Sequence, residues 1–173
     1  SHATSSVIGG YYYAGGLIGI NQGGTLTDSY ATGSVTGNYV VGGLVGYHRG
    51  IITDSYATGS VIGKESVGGL MGRTSWDATI TASYATGNVS GGDTVGGLVG
   101  SDEGTITASY ATGNVSGGDY VGGLVGHNID DAITASYATG SVTGNYRVGG
   151  LVGSDKGTIY RSYATGNVSG GHY

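Results

Sequence analysis

The sequence predicts an all-β protein, a parallel β-solenoid of about six coils, each 26–28 residues long. Three observations lead there. Ser-Tyr-Ala-Thr-Gly recurs at 29–33, 55–59, 83–87, 109–113, 136–140 and 162–166, at offsets of 26, 28, 26, 27 and 26. A second block, Gly-Gly-Leu-x-Gly, follows in step at 15–19, 42–46, 68–72, 96–100, 122–126 and 149–153. Finally, 40 of the 173 residues are Gly, spaced so that no apolar stripe of helical period survives. A short unit of strands and turns that cannot bury its own apolar face is stable only when stacked on its neighbours.

Residues 95–120 illustrate one unit. Val95 to Gly100 reads as a short strand, Ser101-Asp102-Glu103-Gly104 as a turn, and Thr105-Ile106-Thr107 as the start of a second strand. Ser109 to Gly117 alternates: Ser109, Ala111, Gly113, Val115 and Gly117 are expected to face in, and Tyr110, Thr112, Asn114 and Ser116 to face out. The inward set is small, so the enclosed space must be narrow. Gly118-Asp119-Tyr120 closes the unit. The length differences fall in turns such as Tyr47 to Gly50, Arg73 to Asp77 and His127 to Asp130. Ser1 to Val7 is a degenerate further copy of the first block.

Stacked coils place like residues in columns about 4.8 Å apart, so six coils make a rod on the order of 30 Å. Three apolar columns are expected: Leu17, Leu44, Leu70, Leu98, Leu124 and Leu151; Leu26, Ile52, Ile80, Ile106, Ile133 and Ile159; and Val7, Val35, Val61, Val89, Val115, Val142 and Val168. Two shorter coils of roughly 13 residues per copy remain an alternative winding. The adjacent Leu98 and Val99 point to opposite faces of a straight strand, which leaves an exposed apolar stripe unless the chain bends at Gly96-Gly97.

Gly96 to Gly100, Gly104-Thr105-Ile106 and Ser109 to Gly117 together resemble the GLUG-type repeats found in large bacterial surface proteins, among them haemagglutinin-like adhesins and non-catalytic parts of some surface peptidases. The resemblance covers nearly the whole chain. It implies an extracellular, parallel β-helical stalk or adhesin region, and it brings no catalytic motif with it.

Composition narrows the chemistry. The net charge is −5, and the six Lys and Arg residues are scattered, which argues against a nucleic-acid partner. Cys is absent, so there are no disulfides or thiolate metal sites, and no apolar run is long enough for a membrane-spanning helix. The 11 carboxylates, Asp28, Asp54, Glu65, Asp77, Asp93, Asp102, Glu103, Asp119, Asp130, Asp131 and Asp155, read mostly as solvated turn residues. Gly91-Gly92-Asp93 and Gly117-Gly118-Asp119 lack the rest of a calcium-binding nonapeptide. His2, His48, His127 and His172 read as surface or turn residues, with His48 and His127 in the same turn type. Neither a cofactor nor an enzymatic activity is expected.

Two outward columns are the candidate contact surfaces. One is Tyr30, Tyr56, Tyr84, Tyr110, Tyr137 and Tyr163, which either steady one another or meet glycans or neighbouring chains. The other is Thr32, Thr58, Thr86, Thr112, Thr139 and Thr165. The expected function is a non-catalytic structural and adhesive rod, extracellular or at the cell surface, with itself or a glycan as partner. Both ends of the sequence start and stop in mid-repeat, so the 173 residues read as one domain of a longer protein or of an assembling filament. The alternatives are an ice-binding solenoid using the Thr column and a polysaccharide-binding or -processing β-helix.

Overall fold

Each coil runs through strands that pair with the equivalent strands above and below, always in parallel. In the computed structural model, which describes residues 1–171, the register is that of the repeat: Tyr84 pairs with Tyr56 and Tyr110, Val95 with Val67 and Val121, and Ile106 with Ile80 and Ile133. The chain therefore winds once per copy, and the 13-residue winding is excluded. His172 lies outside the described residues.

Among the described residues four parallel sheets wrap the rod. The Tyr-Ala strands, such as Tyr110–Ala111, form one of seven strands, and the Val strands, such as Val115–Ser116, form another of seven. A six-stranded sheet is built from strands such as Thr94–Gly96. A ten-stranded sheet carries both Val99–Asp102 and Thr105–Thr107, which in earlier coils are continuous as Ile18–Thr27 and Val45–Thr53. The degenerate first copy takes its place, with His2 paired to Tyr30.

Two expected strands are divided by corners. Val95 to Gly100 turns at Gly97-Leu98, so its halves belong to different sheets. That bend carries both Leu98 and Val99 inside, where each is fully buried, and no exposed apolar stripe results. The stretch 109–117 alternates in and out as expected, but it turns between Ala111 and Val115 and supplies two sheets.

The interior holds two narrow apolar stacks. The larger combines the Leu column and the Leu26-to-Ile133 column with Val45, Met71, Val99, Val125 and the Ala residues of the Tyr-Ala strands, while Ile159 in the last coil is exposed. The smaller pairs the Val35-to-Val142 column with a further column, Val41, Val67, Val95 and Val121. Burying one such Leu, Ile or Val side chain contributes about 1.5–3 kcal/mol. Glycine columns let the walls approach. A Cβ on Gly97 would run into the carbonyl oxygen of Gly123 in the next coil and lie 2.8 Å from Ala111 Cβ.

A left-handed residue precedes each Ser-Tyr. Asp28, Asp54, Ala82, Ala108, Ala135 and Arg161 have φ between 46° and 50°, in a region that L-residues adopt only at a cost. The serine that follows compensates for the disturbed ladder. Ser109 Oγ donates to the Thr107 carbonyl at 2.8 Å and accepts the backbone N–H of Ser83 from the coil before at 3.2 Å. The same pair of bonds recurs at Ser55, Ser83 and Ser136.

Replacing Ser109 by Ala therefore strands the buried Ser83 N–H, and urea denaturation should show a loss of about 1–3 kcal/mol. Gly97→Ala should cost about 1–3 kcal/mol through backbone overlap. Gly10→Ala, where an added Cβ meets nothing within 4 Å, should move the midpoint by no more than about 0.5 kcal/mol.

Candidate functional site

The Tyr column is continuous. Successive rings from Tyr30 to Tyr163 lie 4.8–5.2 Å apart, tilted by only 3–7° from parallel. His2 extends it, stacking on Tyr30 at 5.1 Å. This spacing is the strand separation itself, so the sheet sets the stack. The tyrosines are half-buried, apart from the exposed Tyr163. Each internal ring has its two faces against its neighbours and presents an edge and a hydroxyl to solvent. Burial, followed by the flanking tyrosines, raises the Tyr56 and Tyr110 hydroxyls above the usual phenol range.

The Thr column is exposed throughout and sits just after the Tyr-Ala strands, at the corner rather than on a sheet. It is held by the same rung spacing, as in Thr112 N–H to the Ala85 carbonyl at 3.0 Å.

A second aromatic surface was not singled out from the sequence. Tyr11 and Tyr12 are exposed, at 62% and 64%. Tyr12 stacks on Tyr39 at 5.7 Å, and Tyr39 Oη donates to Tyr11 Oη at 3.4 Å. Beside them, Tyr11, Asn38, Tyr39, Lys64 and Glu65 line a depression of about 100 Å³. The signal available was the run Tyr11-Tyr12-Tyr13, which stands outside the repeat pattern.

The expected turn at Ser101-Asp102 is strand, and it points one residue of each coil inward. Register places Asn21 on His48, His48 on Thr74, Asp102 on Asn128, and Asn128 on Asp155. His48, Thr74, Asp102 and Asn128 are fully buried. This corrects the reading of Asp102 as a solvated turn carboxylate and of His48 as a surface residue. His127 occupies the neighbouring outward column, opposite Ser101 and Ser154, so the two histidines are not equivalent.

Within this column Asn21 Nδ2 meets His48 Nδ1 at 3.2 Å, and Asn128 Nδ2 donates to Asp155 Oδ1 at 2.7 Å and to the Asp131 carbonyl at 2.9 Å. Thr74 Oγ1 donates to Asp102 Oδ1 at 2.5 Å, and the Gly104 N–H reaches the same oxygen at 3.3 Å. Asp102 Oδ2 and Asn128 Oδ1, acceptors on adjacent rungs, have no donor among the described residues. Burial pushes the Asp102 carboxyl up to about 7, against the two bonds that favour its charged form, with Asp131 and Glu103 adding to the rise. A proton on Asp102 brings a donor to this pair of oxygens, which otherwise have none. Burial likewise lowers the His48 imidazole, which favours its neutral form.

Among the described residues no three His, Cys, Asp or Glu side chains converge to hold a metal ion, and no helix is long and apolar enough to cross a membrane. Asp28 and Asp54 fall on equivalent left-handed corners, exposed to solvent.

A family model described as the GLUG motif matches residues 10–36, 37–62, 117–143 and 144–169, more than half of the chain. No curated protein sequence matches. A solved structure described as a "putative immunoglobulin A1 protease from Bacteroides ovatus" is similar over 98% of this chain, with a TM-score of 0.71 and 21% sequence identity. The chain covers 66% of that structure's chain, a likeness of fold.

The Asp102 proton gives a signed pH dependence. The folded-state value lies above the roughly 3.9 of an unfolded Asp, so its contribution to stability is complete below pH ~4 and is lost as the pH rises through ~7. Relative to Asp102→Asn, the stability read from urea midpoints should fall between about pH 4 and about pH 7, at no more than about 1.4 kcal/mol per pH unit.

Proposed function

We propose, since the chain belongs to the family defined by the GLUG motif, that it is a non-catalytic structural and adhesive rod acting outside the cell, with surface glycans or further copies of the rod as partners. The observation that carries the reading is the pair of uninterrupted outer columns. Tyr rings stacked through six coils and an exposed Thr at the same place in each give a surface that repeats along its length. A repeated surface suits a spacer or a multivalent contact, in which weak identical interactions add through effective concentration. Catalysis needs the opposite, a few unlike groups converging in one cleft.

The paired geometry of the tyrosines divides the labour between the aromatic surfaces. Sugar rings stack on aromatic faces, and in the column those faces are taken by neighbours. The exposed Tyr11 and Tyr12 rings beside Asn38, Lys64 and Glu65 offer open aromatic surface with polar groups alongside. They are accordingly the better glycan platform, and the Tyr30-to-Tyr163 column serves chiefly to stiffen the rod. The likeness to the protein described as a protease supports the fold, and at 21% identity it carries no activity to this chain.

Fluorescently labelled protein applied to a glycan array, together with sedimentation of the free protein, tests the reading. The expected outcome is retention on a restricted set of glycans, reduced about tenfold or more by a Tyr11→Ala, Tyr12→Ala double variant, or concentration-dependent association of rods. Retention on no glycan, with a strictly monomeric rod at high concentration, would overturn it.

A further inference from the structure

The repeat is least regular at one corner. The unit after Ser55 is 28 residues long and the unit after Ser109 is 27, whereas the unit between them has 26. The extra residues fall in the turn between the two segments of the ten-stranded sheet, at Ser75-Trp76-Asp77 and at Ile129-Asp130-Asp131. Two enlarged turns, with a shorter one one coil away from each, make the walls and floor of a notch. Trp76, Glu103, Ile129, Asp130 and Asp131 line it, around a volume of about 400 Å³.

Both walls are fixed by hydrogen bonds. The Ser75 N–H donates to the His48 carbonyl at 3.0 Å, the Ala78 N–H closes the turn on the Ser75 carbonyl at 2.8 Å, and Ser75 Oγ donates to Asp77 at 3.0 Å. On the far side, the Ile129 N–H donates to the Asp102 carbonyl at 2.9 Å and Asn128 Nδ2 to the Asp131 carbonyl at 2.9 Å. Trp76, the one Trp in the sequence, is 71% exposed despite this anchoring. An indole left in solvent on an anchored turn forgoes burial that a Trp would ordinarily gain, and aromatic anchors of this kind are enriched at recognition sites.

Charge selects the occupant. Glu103 is paired with Arg73, and Asp77 with Arg49 at 2.8 Å. The carboxylates of Asp130 and Asp131 have neither an ion-pair nor a hydrogen-bond partner among the described residues. The protein itself shows the chemistry that suits the ring: the Arg49 guanidinium lies 5.9 Å from the Trp76 centroid. Arg49 belongs to the coil before Trp76 and Glu103 to the coil after, and Trp76 is 71% exposed, so Arg49 leaves much of the indole open.

We propose that this notch binds a basic side chain, an Arg or Lys presented by a partner polypeptide, with the cation against the Trp76 ring and its charge met by Asp130 and Asp131. This deepens the adhesive reading and rests on it, naming a protein partner's chemistry in addition to the glycan surface at Tyr11 and Tyr12.

Trp76 also reports on the site, because its emission is the only indole signal. The whole chain is titrated with an acetylated, amidated peptide of alternating Gly and Arg, and in parallel with maltohexaose. The expected result is a saturable change in Trp76 emission with the peptide, weakened about tenfold or more by Asp130→Asn with Asp131→Asn and by raising the ionic strength from about 0.1 M to about 1 M. Unchanged far-UV circular dichroism and urea midpoint show that the double variant is folded; if they change, Asp130→Asn alone, at an exposed side chain, replaces it. A flat emission signal, an equal response in the folded variant, or a response to maltohexaose without one to the peptide would each overturn the notch proposal. None of these results bears on retention by a glycan array, so the notch and the adhesive reading can fail separately.

Discussion

The whole rod depends on one constraint: each coil must lie on the next in register, close enough for backbone N–H and C=O groups to pair across about 4.8 Å. Because the pairing is parallel and nearly unbroken, a residue's environment is set chiefly by its counterparts above and below. Leu98 packs between Leu70 and Leu124, and its N–H donates to the Leu124 carbonyl at 2.8 Å. The Leu column thus accepts only residues of similar size. The Gly43, Gly69, Gly97, Gly123 column is a strict case, since there a side chain would have to enter the backbone of the next coil. Glycine is a costly residue for folding entropy, and here it is retained because the next coil's carbonyl and a neighbouring Ala side chain leave no room for anything larger.

The corners impose the second condition. A coil this thin has to turn abruptly, and the left-handed residue before each Ser-Tyr does so without requiring Gly, taking Asp, Ala or Arg instead. The turn removes one carbonyl from easy reach of the neighbouring N–H, and the serine hydroxyl takes its place as acceptor. The Ser in the repeated pentapeptide is thus a backbone group in all but name, while the Tyr beside it extends the same rung spacing to the outside as a stack of rings.

Period, coil number, the Leu, Ile and Val columns and the inward set from Ser109 to Gly117 were all legible in the sequence, because they rest on spacing alone. The corners were not. Val95 to Gly100 has the composition of a strand, and nothing local marks Gly97-Leu98 as the place where it changes sheet; the adjacency of Leu98 and Val99, both needing burial, was the one hint. The polar column was hidden for a different reason. Asn21, His48, Thr74, Asp102, Asn128 and Asp155 share no chemistry beyond polarity, and they neighbour real turns, so each looks solvated alone. Aligned by the repeat, the position is polar in every coil, which is the signal that could have found it.

That polar column and the notch beside it show where a repeat protein has room to vary. In the buried apolar columns and the Tyr column a change in one coil disturbs its two neighbours, so like residues recur there. At the turn between the segments of the ten-stranded sheet the chain leaves the ladder, and residues can be added without shifting any strand: Ile106 still pairs with Ile80 and Ile133 across turns of three lengths. Distinct side chains such as Trp76 and Asp130 can therefore be introduced there with little penalty to the stack. The buried Asn128 and Asp102 provide the means, since their side chains and carbonyls hold the neighbouring enlarged turn in place. The column that costs the interior its apolar character thereby holds an irregular feature of the exterior in place.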